Sequence, residues 1–525
     1  MRSNKKNPVY AAVCLLCFVA LALAGCGGGA SGSSGTQSSV QTSGSNTNQT
    51  SPSGTSGSLS NTAGNTSGSW PSASTGTSST TTANSSTVAT GSSGGSSTTS
   101  GSSGSSSTPL MGPLKVCASN PRYFCDPQGT PVYLTGSHVW QNLQDMAGLG
   151  AFDFNAYVNF LKSYNMTFIR LWAYEGAEYG GSMSSPNYYS PLPFSYNGSK
   201  YDLTSMNQTY FARLRSRVIA AENAGIYVDV MLFQGWSLET LAWNANPYNA
   251  SNNVNGWFPG DSNGDGSGYQ SHEGLSGFQE AYIRKVVDTL NDLPNVLYEA
   301  SNEDTFTSAN VQWQYAVINY VKQYEATKPY QHPVGMTSNG TGSSDSALLA
   351  SPADWISPDA SCYGTASCSP SNGTKVLVPD TDHLGSNQNG AWVWESFMSG
   401  YNPIFMDGGI QTFPASTDSR RVGARLAMEG TSYYAKKMSL GSDAPRGDLS
   451  TTGYALANPG SEYLIYQPGS GNSFGVSLAA GNYYYEWFNT STASVDASGT
   501  LTAGGGNMSF NPPSSSDAVL YLHSQ

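Results

Sequence analysis

Short apolar runs alternate with helical patterns along most of this chain. Eight runs have the length and composition of buried strands: 131–136, 167–174, 226–233, 295–301, 333–338, 354–357, 375–380 and 403–408. Apolar residues recur with helical spacing at 153–163, 206–223, 276–291, 308–326, 388–399 and 417–438. This alternation predicts a parallel sheet of the α/β class, and eight strands favour a closed (β/α)8 TIM barrel. The stretch 358–374 departs from the pattern, because it carries little helical signal.

The pattern changes after about residue 445. Short runs separated by Gly, Pro and Asn replace the helical spacing, at 453–458, 462–468, 473–479, 482–489 and 517–524. Runs of this kind predict a small antiparallel β-sandwich. We therefore expect a barrel domain over 109–445 and a sandwich domain over 446–525.

A basic start and a short apolar stretch open the chain. The apolar residues 9–24 are too few to favour a membrane-spanning helix, and the sequence "LAGC" follows at 23–26. This looks like a bacterial lipoprotein signal, so we expect residues 1–25 to be removed and Cys26 to take lipid. An ordinary secretory signal is the alternative. Gly27 weakly favours the outer membrane, on its periplasmic or its outer side.

The segment 26–108 forms the next unit. Beyond its first residue it is almost entirely Ser, Thr, Gly and Asn, with no apolar periodicity. Such composition is typical of a flexible tether, because it offers nothing to bury in a core. We therefore predict a disordered tether between the lipid and the barrel.

Composition narrows the class of partner. Charged residues make up 11% of the chain and aromatic residues 12%, and the formal net charge is −12. No basic run occurs after the leader, so nucleic acid and anionic membrane surfaces are not expected as partners. Aromatic-rich, weakly charged chains suit neutral ligands with many hydroxyl groups, because rings stack on sugar faces. We expect a poly- or oligosaccharide ligand, a monomer, and membrane contact only through the N-terminal lipid.

Four of the seven cysteines form two local pairs, Cys117 with Cys125 and Cys362 with Cys368. Short loops in an oxidising compartment predict a disulfide in each pair, and no Cys/His spacing suggests zinc. The segment "DSNGDG", 261–266, imitates the start of a calcium loop, but His272 stands where the loop needs Glu. A turn is therefore the preferred interpretation and bound calcium the alternative; no other cofactor or metal is expected.

Candidate chemistry collects at the predicted strand ends. In a (β/α)8 barrel, catalytic residues lie at the carboxyl ends of the strands and in the segments that follow. Six predicted strands place polar or aromatic residues there: His138, Trp140, Arg170, Trp172, Gln234, Trp236, Asn302, Glu303, Asp380, Asp382, His383 and Asp407.

Several of these residues lie in recognisable motifs. The segments "NVLYEASNED" at 295–304 and "FIRLW" at 168–172 resemble the retaining (β/α)8 glycoside hydrolases related to cellulases. More specifically, "PVYLTGSHVW", "DTDH", "AWVWESFMSGYNPIFMDGG" and "ALANPGSEYLIYQPGSG" resemble the apiosidase-like branch, whose C-terminal sandwich is often labelled collagen-binding. The resemblance covers roughly 112–525. It implies that Glu303 is the acid/base and that Asn302 holds a substrate hydroxyl.

Glycoside hydrolysis needs two carboxyl groups across the scissile bond, about 5–5.5 Å apart in retaining enzymes. Glu303 is our candidate acid/base, against the alternative of a capping or ion-paired residue. The cellulase relatives carry a Glu at the end of strand seven, and this chain has none there. Asp382 is our candidate for the second carboxylate and Asp380 the alternative, which leaves retention or inversion open. Glu395 is expected to point away from the site.

The other candidates have two interpretations each. Glu299 shares a strand face with Glu303, and a buried carboxylate there needs a cation, for which Arg170 is the candidate. Either sugar stacking or core packing would explain Trp140, Trp172 and Trp236. His138 and His383 would bond sugar hydroxyls or orient a carboxylate, unless they are plain loop residues. Asp407 would bond a sugar hydroxyl or pair with Arg170.

Together these features predict an exported, lipid-anchored glycoside hydrolase that acts on plant or microbial polysaccharide, with Glu303 and Asp382 as the expected pair of a retaining mechanism. The alternative from another class is a non-catalytic carbohydrate-binding surface lipoprotein, which the missing strand-seven Glu would also explain. Sugar, linkage and endo or exo action stay open.

Overall fold

The computed structural model describes residues 112–177, 182–238, 240–258, 260, 264–270, 274–340, 344–358, 371–384, 389–407, 417–469 and 471–525. The predicted leader, Cys26, the tether and the Cys362–Cys368 pair lie outside these ranges. The side chain of His383 lies outside them too. Within them, no helix has the length and apolar character that crossing a bilayer requires.

Eight parallel strands form the central sheet. They are β1 (Gly136–His138), β2 (Phe168–Leu171), β3 (Tyr227–Gln234), β4 (Val296–Asn302), β5 (Val334–Thr337), β6 (Trp355–Ser357), β7 (Val376–Leu377) and β8 (Ile404–Met406). From β1 to β7 each strand pairs with the next along the chain, and β8 pairs with β1. A parallel bridge between Asp380, just after β7, and Ile404 closes the circle. The predicted barrel is confirmed.

In the part of the chain that the structure describes, seven longer helices accompany the strands. They are α1 (Phe154–Ser163), α2 (Gln208–Asn223), α3 (Gly277–Leu290), α4 (Ser308–Glu325), α5 (Asp345–Ala350), α6 (Gly390–Met398) and α7 (Ser419–Lys437). Six begin where a short polar side chain accepts a backbone N–H of the first turn, as Ser276 does in a capping box with Gln279. The sequence pattern missed α5, because six residues are too few to show helical periodicity.

The start of the barrel differs from the prediction. A strand was expected over 131–136, but Pro131–Val132 pairs antiparallel with Phe124–Cys125. Lys115–Val116 completes that three-stranded sheet, and a Cys117–Cys125 disulfide links its strands, as predicted. The barrel strand starts only at Gly136, where any Cβ would collide with the carbonyl group of Phe168. Apolar composition marked both strands but not the break between them.

Smaller elements lie mainly in the segments after β2, β3 and β7. Two antiparallel pairs join Asp145–Met146 to Tyr189–Ser190 and Phe194–Tyr196 to Tyr201–Met206. The short helices are Gly235–Leu238, Thr240–Trp243, Ser267–Gln270, Thr381–Leu384 and Gly447–Leu449. The segments that follow the carboxyl ends of the strands are therefore the most elaborate part of the barrel.

The C-terminal region consists of antiparallel strands. They are β9 (Ala444–Pro445), β10 (Ala455–Asn458), β11 (Glu462–Gln467), β12 (Phe474–Leu478), β13 (Gly481–Asn489), β14 (Ser494–Ala503), β15 (Gly506–Phe510) and β16 (Ala518–Ser524). Six form a sheet in the order β9-β10-β11-β16-β13-β14, and β12 pairs with β15. The apolar pattern missed β14 and β15, because β14 is exposed along most of its length.

The barrel and the C-terminal strands belong to one compact unit. Helix α6 is buried along nearly its whole length, and its Trp394 stacks on Tyr466 with ring centres 6.2 Å apart. Lys437, at the end of α7, donates to Glu486 and lies 4.9 Å from the ring centre of Tyr521. Both contacts join a barrel helix to the sheet, so the sheet covers the outside of the barrel at α6 and α7.

Candidate active site

Arg170, on β2, is the centre of a buried charge network inside the barrel. Its Nε donates to Glu299 Oε2 at 2.6 Å, and its Nη2 donates to Glu299 Oε1 at 2.5 Å. Its Nη1 lies 3.4 Å from one carboxylate oxygen of Asp380 and 3.4 Å from one of Asp382. The Oδ2 atom of Asp229 lies 3.9 Å from Nε. One cation therefore holds carboxyl groups from β3, β4 and the segment after β7.

Glu299, on β4, is the deepest member of this network. It is fully buried, and the Thr337 hydroxyl also donates to its Oε1 at 2.9 Å. The pairing with Arg170 that the sequence suggested is present in the structure. With three donors on its two oxygens, Glu299 is held as a structural anion rather than presented to a ligand.

Asp229, on β3, is a member that sequence reasoning missed. Burial raises the pKa of its carboxyl group well above the ordinary range, and the neighbouring Glu299 adds to the rise. Arg170 opposes this only in part. Burial therefore favours the protonated form of Asp229 over the ionised form. The available signal was an Asp inside the apolar run "IYVDVMLF", where an unpaired charge would be costly.

The ends of β3 and β4 are joined by side-chain hydrogen bonds. Gln234 Oε1 accepts from Asn302 Nδ2 at 3.0 Å and from the Trp236 backbone N–H at 3.3 Å. Arg170 Nη2 donates to Asn302 Oδ1 at 2.7 Å. The indole N–H of Trp236 donates to Glu303 Oε2. These bonds connect the central cation, the strand-four amide and the candidate acid/base.

The backbone of Glu303 adopts an unusual conformation. Its φ angle is 46°, in the left-handed region that costs a non-glycine residue on the order of 1–3 kcal/mol. The turn passes so close to Gly235 that a Cβ there would lie 2.5 Å from the Glu303 carbonyl oxygen. This turn takes Glu303 out of the strand, and its side chain is half-buried whereas Asn302 is fully buried.

Asp380 and Asp382 occupy different positions after β7. Asp380 is buried, and its Oδ1 contacts His138 Nε2 at 2.8 Å and accepts the Asp382 backbone N–H at 3.0 Å. Its other oxygen faces Arg170. Burial and the charge of Asp380 raise the pKa of Asp382 to about 6, while the charge of Arg170 lowers it. Asp380 is thus engaged on both oxygens, and Asp382 is the less buried carboxylate.

His138, on β1, has a defined tautomer. The Trp172 indole N–H lies 2.8 Å from His138 Nδ1, and an indole N–H can only donate. Nδ1 must therefore be the acceptor, so Nε2 carries the hydrogen and donates to Asp380. His138 is fully buried. The contact with Asp380 is the one that a carboxylate-orienting role requires, and the role itself stays a prediction.

Two of the tryptophans considered for sugar stacking are core residues in this structure. Only 4% of Trp140 and 1% of Trp172 is exposed. Their ring centres lie 5.7 Å apart, and the guanidinium of Arg170 lies 4.9 Å from the ring centre of Trp172. The sugar-stacking interpretation of these two rings is therefore not supported. Trp236 is half-buried beside Glu303, and sugar contact stays a prediction for it.

Asp407 does not pair with Arg170, contrary to one of the two interpretations of its role. Arg425 on α7 holds it through two hydrogen bonds of 2.7 Å and 2.6 Å. Asp407 is buried, so this pair fastens the end of β8 to α7. Glu395 lies away from the site, as expected, because the groups around it are Tyr454 and Asp517 of the C-terminal strands.

Two further buried carboxyl groups flank the strand-four turn, and sequence reasoning missed both. Burial raises the pKa of Glu175, four residues beyond β2, to about 8. Burial likewise raises the pKa of Asp304, next to Glu303, to about 7. Only their position after predicted strands could have marked them.

No cluster of three or more His, Cys, Asp or Glu with the geometry of a metal site occurs among the described residues. The predicted turn at 261–266 lies partly outside them. Its Asp265 accepts hydrogen bonds from the backbone N–H and hydroxyl of Ser267, at 3.1 Å and 2.6 Å. These bonds are those of a polar turn.

Comparison with known proteins bears on the fold. No protein-family model matches the chain, and no match was found among the curated proteins. One solved glycoside hydrolase aligns with 79% of this chain and 97% of its own, at 13% identity and a TM-score of 0.50. A family 5 glycoside hydrolase of Bacteroides vulgatus aligns with 79% of this chain and 95% of its own, at 13% identity and a TM-score of 0.51.

A proposed glycoside hydrolase of the same organism covers 79% of this chain and 82% of its own, at 12% identity and a TM-score of 0.55. At such identities the likeness establishes fold alone. The chain has the (β/α)8 barrel fold found in these glycoside hydrolases. The finer resemblance to the apiosidase-like branch and the collagen-binding label stay predictions.

Proposed function

We propose that this protein is a glycoside hydrolase that cleaves O-glycosidic bonds in poly- or oligosaccharides. The observation that carries the proposal is that Arg170 contacts residues at the ends of two different strands. Its Nη2 holds Asn302, the neighbour of Glu303, at 2.7 Å, and its Nη1 lies 3.4 Å from Asp382. The buried Arg170 side chain thus holds the ends of β4 and β7 close together, and glycoside hydrolysis needs one carboxyl group at each of these ends.

In the proposed mechanism, Glu303 protonates the leaving oxygen. With retention, it then takes a proton from the water that hydrolyses the glycosyl-enzyme intermediate. General acid catalysis of this kind contributes roughly 10²–10⁴-fold. The second group is Asp382, which is ionised above its pKa of about 6. As a nucleophile it would attack the anomeric carbon with retention; as a base it would activate water with inversion. Asp380 is the alternative, and its engagement with His138 and Arg170 argues against it.

The test begins with Glu303→Gln. We expect this variant to lose turnover of a natural polysaccharide by roughly 10²–10⁴-fold while its binding persists, because an amide cannot supply the proton. Aryl glycosides with good leaving groups should lose less in their first step. If the enzyme is retaining, azide should rescue Glu303→Ala. Glu280→Gln, on the surface of α3, is the matched control and should retain wild-type activity.

Asp382→Asn and Asp380→Asn separate the two candidates for the second carboxylate. Loss of the nucleophile or base should stop both natural and activated substrates, so we expect this outcome for Asp382→Asn. Asp380→Asn should retain measurable turnover of activated substrates. The reverse result would reassign the role to Asp380. Full activity of Glu303→Gln on a polysaccharide would end the mechanism.

A non-catalytic carbohydrate-binding protein is the second candidate function. The observation in its favour is that no Glu stands at the end of β7, where the cellulase-like enzymes that this sequence resembles carry one. A screen of the wild-type protein on a polysaccharide panel distinguishes the two. Binding without release of any product would support this candidate and contradict the enzyme.

We also propose that the mature protein is an outer-membrane lipoprotein anchored through Cys26. The "LAGC" sequence at 23–26 and the polar tether 26–108 support this proposal. In cells, Cys26→Ser should prevent lipid labelling and move the protein out of the membrane fraction. Unchanged membrane association of that variant would contradict the anchor.

A further inference from the structure

Glu175 is a buried carboxyl group that the proposed chemistry does not use. It lies between β2 and α2, and only 6% of its surface is exposed. No Lys or Arg forms an ion pair with it among the residues that the structure describes. The carboxyl group of Asp304 contributes a charge that raises its pKa further, so burial and a like charge both favour the neutral acid.

Glu175 contacts the short helix Gly235–Leu238. Its backbone N–H donates to Ser237 Oγ at 3.2 Å. Asn246 Nδ2 lies 3.2 Å from Glu175 Oε2 and also 3.2 Å from the Ser237 carbonyl oxygen. Glu175 and Asn246 therefore hold Ser237 through both its side chain and its backbone.

The same short helix contacts the candidate acid/base. Trp236, adjacent to Ser237, donates its indole N–H to Glu303 Oε2. Gly235 packs against the Glu303 backbone so closely that even a methyl group would collide with it. A displacement of this helix must therefore move the carboxylate or the backbone of Glu303. Glu175 is therefore connected to Glu303 through the three consecutive residues 235–237 of this helix.

We propose that Glu175, as the neutral acid, is a positioning residue that fixes the Gly235–Leu238 helix and, through Trp236, the carboxylate of Glu303. The effect of Glu175 on catalysis rests on the proposed function, whereas its effect on the position of Trp236 does not. Ionised Glu175 would be a buried anion without a cation, and water drawn to it would compete for the amide of Asn246.

Burial of Glu175 and the charge of Asp304 raise the pKa of Glu175, and they outweigh the hydrogen-bonding groups of Asn246, Tyr269 and Gln234, which lower it. The acid and tyrosine groups that face it are Asp304 after β4, Tyr210 on α2, Tyr248 and Tyr269 between β3 and α3, and Tyr282 on α3. Burial raises the pKa of each of these tyrosines, so they stay neutral and offer no countercharge. Asp304, when ionised, opposes a second negative charge.

The test follows the indole N–H resonance of Trp236 in the full-length protein labelled with ¹⁵N-tryptophan. Its absence in Trp236→Phe assigns it. In the wild type we expect it to move between pH 6 and pH 10 with a midpoint at about 8. In Glu175→Gln, which stays neutral and keeps an oxygen for Asn246, the resonance should hold its low-pH position. Asp304→Asn should still show the movement. An unchanged titration in Glu175→Gln would overturn the proposal.

Kinetics supply the second readout. Above the midpoint, the neutral fraction of Glu175 falls about tenfold per pH unit, and the wild-type kcat should fall with it while KM stays constant. Glu175→Gln should keep its kcat over the same range, whereas Glu175→Ala should lose kcat at every pH. A titrating resonance in a protein that cleaves no glycan would contradict the proposed function and leave the positioning role supported. Equal alkaline loss of kcat in wild type and Glu175→Gln would contradict the positioning role.

Discussion

Replacing Glu299 by glutamine tests whether the Arg170 network holds the barrel together. Glutamine keeps the shape of the side chain and removes its charge. Glu299 is fully buried, and it accepts two hydrogen bonds from Arg170, at 2.6 Å and 2.5 Å, and one from Thr337 at 2.9 Å. The substitution leaves a buried guanidinium without its closest countercharge.

The expected loss of stability follows from these contacts. Removing one partner of a buried ion pair typically costs about 3–5 kcal/mol of unfolding free energy. Here Asp380 and Asp382 remain 3.4 Å from Arg170, and the amide oxygen can still accept one hydrogen bond. These contacts offset part of the loss, so we expect about 2–3 kcal/mol for Glu299→Gln.

Urea unfolding monitored by tryptophan fluorescence measures the loss. Asp292→Asn is the matched control, because Asp292 also accepts two short hydrogen bonds from an arginine, Arg215, at 2.6 Å and 2.7 Å. That pair is solvent-exposed, so its removal should cost at most about 1 kcal/mol. The burial of the pair is then the main variable between the two substitutions.

A loss for Glu299→Gln no larger than that of Asp292→Asn would refute the reasoning. If Glu299→Gln fails to fold whereas Asp292→Asn folds normally, the charge argument is supported, because the two substitutions differ mainly in the burial of the pair.

Three further predictions test separate features of the structure. Gly235→Ala should lower kcat roughly 10–100-fold, because a Cβ at this position would lie 2.5 Å from the Glu303 carbonyl oxygen. Gly277→Ala is the control and should keep the wild-type kcat, because a Cβ there meets open space. Equal kinetics of the two variants would contradict the contact. As the pH is lowered from 7 to 5, kcat/KM should fall, because Asp382 takes up a proton around its pKa of about 6; an unchanged kcat/KM over this range would argue against its role. Lys437→Met should lower the melting temperature without changing kcat, because it leaves a buried carboxylate unpaired between barrel and sheet; calorimetry that shows an unchanged melting temperature would contradict that contact.

The local pattern of apolar and polar residues was sufficient to predict most strands and helices of the barrel. Seven of the eight barrel strands lie in apolar runs, as in "NVLYEAS" at 295–301, because strands buried on both faces need apolar residues throughout. Helix starts such as Ser276 and Thr307 carried their own capping side chains. The position of Glu303 just after β4 followed from the same local pattern.

The boundary of the first strand was decided by contact between strands. The run 131–136 is apolar enough for one strand, but it divides between two sheets in the structure. Gly136 allows the close approach to Phe168 that starts the barrel strand. Periodicity along one segment contains no information about which neighbour that segment meets.

The roles of the polar residues depended on tertiary structure for the same reason. Arg425 lies 18 residues beyond Asp407 and yet is its partner, while Arg170 reaches four carboxyl groups from other strands. Whether a tryptophan packs in the core, as Trp172 does, depends on what covers it. Sequence determined which residues reach the barrel mouth, because strand ends are local features. Pairing, burial and the left-handed turn at Glu303 were decided by strand register and packing, because these bring together residues that are distant along the chain.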